Sequence, residues 1–438
     1  MPHAVPLASR LTPAPQRPAA LDLRYLHQFV TAVFGEYAHA KRLESIANAS
    51  AGVLHAGACA IHAIGAAYAA VSAGQTKHGI KQVDRLLSND GFDVWGLFEP
   101  WVRFVIAERE EVVVALDWTD FEKDDHTTLC AYLVTRHGRA TPLAWKTVPK
   151  STLEGKRNGY EYALVERLHA VVPPAVRVVL LADRGFGDQK LYALLGALGW
   201  DYVIRFRECI LVEDERGVRQ PASARVGAGR AKKIPNARVT DERTAVPAVV
   251  VVHAKAMKEP WCLATSLAER TAQDVVTLYG KRFSIEETFR DEKDIHFGLG
   301  LSATHIKDGS RRDRLLFVIA LAHALLTLLG AASEATGLDR TLKSNTSAKR
   351  QLSLFRQGLY WYHAMLTTRP EWFEKLLTAF DRIVAEQAFC REIFGIIGGD
   401  ASGRASQPQG AHRGAGAPTV APRRPAEFKA QVAWFVAP

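Results

Sequence analysis

The spacing of hydrophobic residues divides this chain into stretches with different predicted structure. From about residue 22 to 100, alanine-rich segments such as HAGACAIHAIGAAYAAVSAG contain few β-branched residues and predict helices. From residue 111 the pattern changes to the β-branched runs EVVVALDW, TLCAYLVT and ATPLAWKTV, which predict three strands. Because short links join these runs, we expect an antiparallel meander. Helical patterns return over 272–293 and 311–335.

The middle of the chain predicts strands that alternate with helices. An amphipathic helix at about 159–172 precedes the apolar strand VRVVLLAD, a helix near 188–199 and the strand DYVIRF. The resulting order, β-β-β-α-β-α-β, predicts an α/β fold with a mixed sheet covered by helices. From about 207 to 266 the chain breaks into Gly-, Arg- and Val-rich pieces. We interpret this segment as a β-rich insertion that is not part of the core sheet.

Composition separates the two ends from the rest of the chain. Residues 1–20 and 399–438 are rich in Pro, Ala, Gly and Arg and have no apolar period, so we interpret both as disordered tails. Between them we expect a helical domain over 21–105, the mixed-sheet core with its insertion over 106–310, and a helical region over 311–398.

Charge and cysteine usage narrow the class of partner. The chain has 438 residues, a net charge of +10 and a pI of about 9.3, which favours a polyanion such as nucleic acid or an anionic membrane surface. Its five cysteines are scattered without a C-x2-C pair, which supports neither disulfides nor a zinc site and fits a reducing cytoplasm. The N-terminus has no apolar stretch typical of a secretory signal. The apolar run Leu315–Ala332 contains His323 and Thr327 and predicts a buried core helix rather than a membrane span.

Two aspartates lie where apolar strands are expected to end. Asp117 follows VVVAL and Asp183 follows VVLLA, at places where apolar packing requires no charge. Hard cations such as Mg²⁺ prefer oxygen ligands, and a two-metal site needs carboxylates from separate elements to hold ions roughly 3.5 to 4 Å apart. The alternative for each aspartate is a cap on the turn after its strand.

The helix predicted over 272–293 carries the motif Y-x2-R-x3-E-x6-K. At about 100° per residue its four members fall within an arc of about 60° and form a stripe about 21 Å long. These members are Tyr279, Arg282, Glu286 and Lys293. Such a stripe presents one carboxylate to metal while the cations and the phenol contact DNA phosphates. An exposed charged helix face is the alternative, because further acids adjoin the stripe.

Together these features resemble the insertion sequence 4 family of DDE transposases, especially the branch that contains the transposon ten enzyme. The matching stretches are ALDWTDF, LLADRGFGD, KEPWCLATSL and LYGKRFSIEETFRDEKDIHFGLGL, within roughly 110–335. The resemblance implies an RNase H-like catalytic core, as in retroviral integrases, with a β-rich insertion before its last acidic helix. It also implies that Asp117, Asp183 and Glu286 are catalytic and bind two Mg²⁺ ions, for which Mn²⁺ substitutes.

The resemblance further implies how DNA is bound. The implied DNA-binding residues are Tyr279, Arg282, Lys293, Arg184 and Trp261. Trp261 would stack on a base displaced near the transposon end, and a core tryptophan is its alternative. The helical N-terminal domain would recognise the transposon ends, while the helical C-terminal region would supply dimer or end contacts.

We therefore expect a cytoplasmic, nucleoid-associated prokaryotic transposase that cuts transposon ends and joins them to target DNA. Its expected partners are double-stranded DNA, comprising terminal inverted repeats and target, and a second copy of the chain as a homodimer in the DNA complex; no membrane is involved. Two alternatives stay open. One is an RNase H-like nuclease that cuts without joining, and the other is a non-catalytic DNA-binding protein descended from a transposase.

Overall fold

The computed structural model describes residues 21–226, 229–255, 257–347, 349–365 and 370–385. The tails predicted at 1–20 and 399–438 lie outside these residues. The strands are β1 (Glu111–Phe121), β2 (His126–Val134), β3 (Ala140–Pro149), β4 (Arg177–Ala182), β5 (Asp201–Phe206), β6 (Leu211–Glu213), β7 (Arg219–Pro221), β8 (Lys232–Val239), β9 (Thr244–Val252) and β10 (Trp261–Thr265). The α-helices are α1 (Leu23–Phe34), α2 (Ala40–Ala56), α3 (Ile61–Val71), α4 (Thr76–Leu87), α5 (Val94–Ile106), α6 (Arg157–Val171), α7 (Gln189–Ala197), α8 (Ala272–Gly280), α9 (Ser284–Lys293), α10 (Gly309–Ala335), α11 (Leu354–Ala364) and α12 (Pro370–Ala385).

The strands of the described residues form one mixed sheet in the order β3-β2-β1-β4-β5-β10-β9-β8-β6-β7. The first three strands pair antiparallel, whereas β4 pairs parallel with both β1 and β5. The predicted α/β order and the antiparallel meander are thus confirmed. The apolar run from Val112 to Leu116 is buried throughout, as is typical of a central strand covered on both faces.

The segment after β5 is β-rich, but the prediction that it stands outside the core sheet is wrong. Strand β10 pairs antiparallel with β5, aligning Cys262 with Phe206 and Thr265 with Val203. Strands β9 and β8 then continue the same sheet outward. An unpaired edge exposes backbone donors and acceptors, and β10 satisfies those of β5.

The described residues divide into two compact units. The first lies within Met1–Leu97, Asp291–Thr304 and Arg314–Ile393, and the second contains the whole sheet. The helical N-terminal and C-terminal regions, predicted as separate, therefore share the first unit. Within it, His363 of α11 contacts the backbone carbonyl of Leu54 in α2 through Nε2 at 3.1 Å.

Helix α10 contains the apolar run that resembles a membrane span by length and composition. Its most apolar window is 18 residues long and is completely buried within the protein. This burial agrees with the predicted core helix. Two glycines permit α10 and α11 to cross closely: a Cβ on Gly358 would overlap the carbonyl oxygen of Leu326, and one on Gly330 would overlap that of Leu354.

The substitution Gly358→Ala tests this crossing. We expect it to lower the free energy of unfolding by about 1 to 3 kcal/mol, because the new methyl group must push the two helices apart. Urea unfolding followed by far-UV circular dichroism measures the change. The control is Gly196→Ala in α7, where nothing lies within 4 Å of the added Cβ and a helical alanine stabilises by up to about 1 kcal/mol. Equal stability of the two variants would contradict the close crossing.

Candidate active site

Parallel pairing of β1 and β4 places two carboxylates side by side. The register aligns Leu116 with Ala182, so Asp117 and Asp183 are the next residues on adjacent strands. Asp183 leaves β4 and caps a short 3-10 helix, where its Oδ1 accepts a hydrogen bond from the Gly185 amide at 2.8 Å. The prediction that Asp117 ends its strand is wrong. The pairing of β1 with β4 ends before Asp117, but β1 remains paired with β2 as far as Phe121.

The third acid, Glu286, is linked to Asp117 by hydrogen bonds to one arginine. Arg282 donates from Nη1 to Asp117 Oδ2 at 2.9 Å and from Nη2 to Glu286 Oε1 at 2.7 Å. Its side chain is only 6% exposed, whereas that of Glu286 is 48% exposed. The segment is not one continuous helix as predicted, because a 3-10 turn over Lys281–Phe283 separates α8 from α9. Arg282 lies in that turn, directly between two of the three acids.

Burial and neighbouring charges together set the pKa values of Asp117 and Arg282. Burial raises the pKa of Asp117 to about 6 although the Arg282 guanidinium lowers it, and the charges of Asp183 and Glu286 add to the rise. Burial alone lowers the pKa of Arg282, but the charges of Tyr279, Asp117 and Glu286 raise it overall. The acids therefore repel one another, and Arg282 compensates part of that repulsion.

Aromatic rings surround Arg282. The Trp261 ring contacts Tyr279 edge-on with centroids 4.9 Å apart, and its centroid lies 6.0 Å from that of Phe283. The Arg282 guanidinium carbon lies 4.8 Å from the Phe283 centroid. Tyr279 is 1% exposed, and burial raises its pKa to about 12. Its contact with DNA stays a prediction, and the phenol is inside the protein in this state.

The other predicted DNA-binding residues have different environments. Trp261 is half-buried at the start of β10. Arg184 is 53% exposed and donates to Glu259 at 2.8 Å; Arg205 donates to the same carboxylate at 2.9 Å. Lys293 is the last residue of α9 and belongs to the first compact unit. DNA contacts by these side chains remain predictions.

A cleft of about 360 Å³ opens beside the two aspartates. Four cationic side chains contribute to its lining: Lys150, Arg157, Arg184 and Arg207. The indole of Trp118 lines it as well. A cationic wall next to carboxylates suits a phosphodiester, whose charge the cations balance. Sequence reasoning missed Trp118 and Arg157; the only signal for Trp118 was its place directly after Asp117.

Residues 108–325 match the family model described as the transposase DDE domain. This part of the chain is similar to a transposase DDE domain. The matched segment includes all three predicted acids, Asp117, Asp183 and Glu286, and the entire ten-stranded sheet. A comparison with curated proteins gives no match. The family supports a transposase function and implies DNA as the substrate.

The carboxylates of the DDE domain are ligands of the type that divalent cations prefer. However, Arg282 forms ion pairs with two of them. Within the described residues, no group of three or more His, Cys, Asp or Glu side chains is arranged to hold a metal ion. Asp117 and Asp183 lie on adjacent strands and offer the oxygen donors that hard cations prefer. Glu286 is joined to Asp117 only through Arg282. The chemistry of these donors therefore fits such an ion, and the Arg282 guanidinium lies between Asp117 and Glu286.

The substitution Asp117→Asn tests the raised pKa. Since the folded-state pKa of about 6 exceeds the unfolded value of about 3.9, the folded protein binds more protons between these values. Wild-type stability therefore falls as pH rises from about 4 to about 6. We expect Asp117→Asn to have the higher melting temperature above this window, with a gap that shrinks toward pH 4.

Thermal unfolding across this pH range measures the gap. The control is Asp241→Asn, an exposed carboxylate in the same unit whose side chain is 86% exposed. A gap for Asp117→Asn that is independent of pH would show that Asp117 has no raised pKa.

Proposed function

We propose that this protein is a transposase of the insertion sequence 4 family, in the transposon ten-like branch, that cuts transposon ends and joins them to target DNA. The main support is the position of Asp117 and Asp183 on adjacent strands, with Glu286 joined to Asp117 through one buried arginine, within the segment that matches the DDE domain. The sheet order β3-β2-β1-β4-β5, antiparallel and then parallel, supports an RNase H-like core.

The chemistry is in-line attack on phosphorus by water or by a DNA 3′-hydroxyl. Asp117, Asp183 and Glu286 would hold two Mg²⁺ ions, or Mn²⁺ in their place, which when bound activate the attacking oxygen and stabilise the leaving oxygen. The protein itself orients the strand: Arg184 and Arg207 line the cleft beside the acids and would hold phosphates. No protein nucleophile is needed, so hydrolysis and joining use the same side chains.

Arg282 connects DNA binding to the state of the acids. The Arg282 guanidinium pairs with both Asp117 and Glu286 and offsets part of their charge. Its implied role toward transposon-end DNA is a phosphate contact, and a phosphate would compete with the carboxylates for the same donors. We infer that DNA draws Arg282 away from the acids and so frees both carboxylates. Trp261, packed on Tyr279, would be available to stack on a displaced base.

The first compact unit supports recognition of DNA ends. A cleft of about 730 Å³ between α2 and α4 is lined by Lys41, Arg42, Lys81 and Arg85, together with polar side chains. Cations concentrated in one cleft attract a polyanion. This cleft supports the proposed end recognition by the N-terminal helices. The protein would act on double-stranded DNA as a homodimer in a prokaryotic cytoplasm, with Lys293 as a further DNA contact.

Three variants test the catalytic assignment: Asp117→Ala, Asp183→Ala and Glu286→Ala. We expect each to lose Mg²⁺-dependent cleavage of inverted-repeat DNA while binding that DNA, because each removes metal-binding charge. A gel-shift assay and a cleavage assay on the same preparations measure both properties. The control is Glu287→Ala, the neighbouring acid on α9, which pairs with Arg290. Retained cleavage by one of the three variants would remove that residue from the site.

An assay for the joining of transposon ends to target DNA distinguishes a transposase from a nuclease with the same fold. Precut transposon ends and a supercoiled target plasmid are the substrates, and Mg²⁺ is added. Covalent joining of an end to the plasmid supports the transposase. Cleavage of uncut ends without any joining would favour the nuclease, and neither activity would favour the non-catalytic DNA-binding protein.

The substitution Arg282→Ala tests whether the Arg282 guanidinium competes with metal ions for Asp117 and Glu286. Without DNA, we expect this variant to bind Mn²⁺ more tightly than the wild type, because Asp117 and Glu286 no longer have a competing cation. Isothermal titration calorimetry measures the affinity without any reaction. The control is Arg290→Ala on α9, whose side chain is 66% exposed. Equal Mn²⁺ affinity of Arg282→Ala and the wild type would contradict this competition.

A further inference from the structure

Helix α6 carries a carboxylate in an unusual place, next to the cleft but inside the protein. Glu161 is 0% exposed. Its Oε1 accepts a hydrogen bond from Trp118 Nε1 at 2.8 Å and one from Arg157 Nε at 3.3 Å. Its Oε2 is buried without a hydrogen-bond partner among the described residues. A buried carboxylate with one unsatisfied oxygen destabilises the fold, so its presence needs a reason other than stability.

The contacts of Glu161 fix one arginine in the cleft. The guanidinium carbon of Arg157 lies 5.2 Å from the Trp118 ring centroid, while Nε is held by Glu161. Stacking and an ion pair together define the plane of the guanidinium. The side chain is nevertheless 45% exposed, and its terminal nitrogens have no partner among the described residues. Arg157 is thus both oriented and accessible.

The free end of Arg157 lies near Asp183. A Cβ added to Gly185 would lie 3.9 Å from Arg157 Nη2 and 3.1 Å from Asp183 Oδ1. The guanidinium and the Asp183 carboxylate therefore border the same glycine. Because Gly185 has no side chain, the space between these two groups is open to a ligand.

The other cations of the cleft are balanced or less constrained. Lys150 is neutralised by Asp120 at 2.8 Å and Glu122 at 2.6 Å. Arg184 pairs with Glu259. Arg207 is exposed in the segment after β5. Of these, Arg157 alone combines a buried counter-charge with a stacked ring, and its two terminal nitrogens match the paired oxygens of a phosphate.

We propose that Arg157 binds a phosphate of the DNA strand that occupies the cleft beside Asp117 and Asp183, and that Glu161 and Trp118 are positioning residues for it. The proposal rests on the proposed function, since it takes the phosphodiester of that reaction as the ligand. It adds a binding residue from α6, an element to which neither the acidic triad nor the Y-x2-R-x3-E-x6-K motif belongs.

The first experiment measures DNA affinity against salt. The probe is a labelled duplex ending in the inverted repeat that flanks the coding sequence, with Ca²⁺ replacing Mg²⁺ and fluorescence anisotropy as the readout. Arg157→Ala should reduce the slope of log affinity against log salt by about one, because one phosphate contact is lost. Arg157→Lys should restore the slope. The control Arg103→Ala removes an arginine that is also paired with a glutamate four residues away on a helix, Glu99, and should leave the slope unchanged.

The second experiment tests the positioning role. Glu161→Gln keeps an acceptor for Trp118 but removes the charge that holds Arg157. We expect an unchanged salt slope together with a rate of Mg²⁺-dependent cleavage, at saturating DNA, that falls about tenfold, since misplaced groups slow reaction more than binding. A merely structural Glu161 would change the melting temperature without changing this rate, and that result would overturn its assigned role.

The outcomes separate this proposal from the proposed function. If Arg157→Ala has the same salt slope as the wild type, the proposed phosphate contact is wrong. The transposase assignment still stands in that case, provided that Asp117→Ala abolishes cleavage. Cleavage that survives Asp117→Ala overturns the proposed function instead, whatever Arg157→Ala does to the slope.

Discussion

The bridge from Arg282 to Asp117 and Glu286 is the interaction on which the arrangement of the site depends. The sheet brings Asp117 next to Asp183, and α9 adds a third carboxylate. Like charges this close repel one another in a partly buried place, and here they add to the raised pKa of Asp117. The guanidinium, 6% exposed and covered by the Phe283 ring, acts where water screens little. It therefore allows α9 to approach Asp117 in β1.

A second, uncharged contact fixes the same helix to the sheet. Thr288, two residues after Glu286, accepts a hydrogen bond from the Ala140 amide and donates one to the Ala140 carbonyl, both at 2.8 Å. Neither bond involves a charge, so neither depends on the state of Arg282. Helix α9 can therefore keep its register on β3 while Arg282 changes partners. The two contacts have different roles. The hydrogen bonds of Thr288 fix the position of Glu286, and Arg282 offsets the charge of Glu286.

Local sequence patterns predicted the strands and the acidic residues. They did not predict which strands distant in sequence pair with each other. The buried runs before Asp117 and Asp183 are visible in the sequence because burial on both faces selects continuous apolar residues. The pairing of Cys262 with Phe206 is not visible, because edge pairing satisfies backbone groups that every residue has. Glu161 was missed for a related reason: on an amphipathic helix, one glutamate in sequence looks like any other, and only the packing of α6 shows that it faces inward.

The charge balance at the acids supports the proposed movement of Arg282. Three ionised carboxylates with one guanidinium have a net charge of −2, which repels a DNA phosphate. Two divalent cations in place of the guanidinium would change that sum to +1, which attracts the phosphate at the place where it reacts. Arg282, once released, would add its own positive charge on the DNA side. Because the acids themselves repel phosphate, a first DNA contact elsewhere on the protein would help to bring a phosphate to Arg282. The cationic cleft of the first unit, remote from the acids in sequence, has the charge for such a first contact.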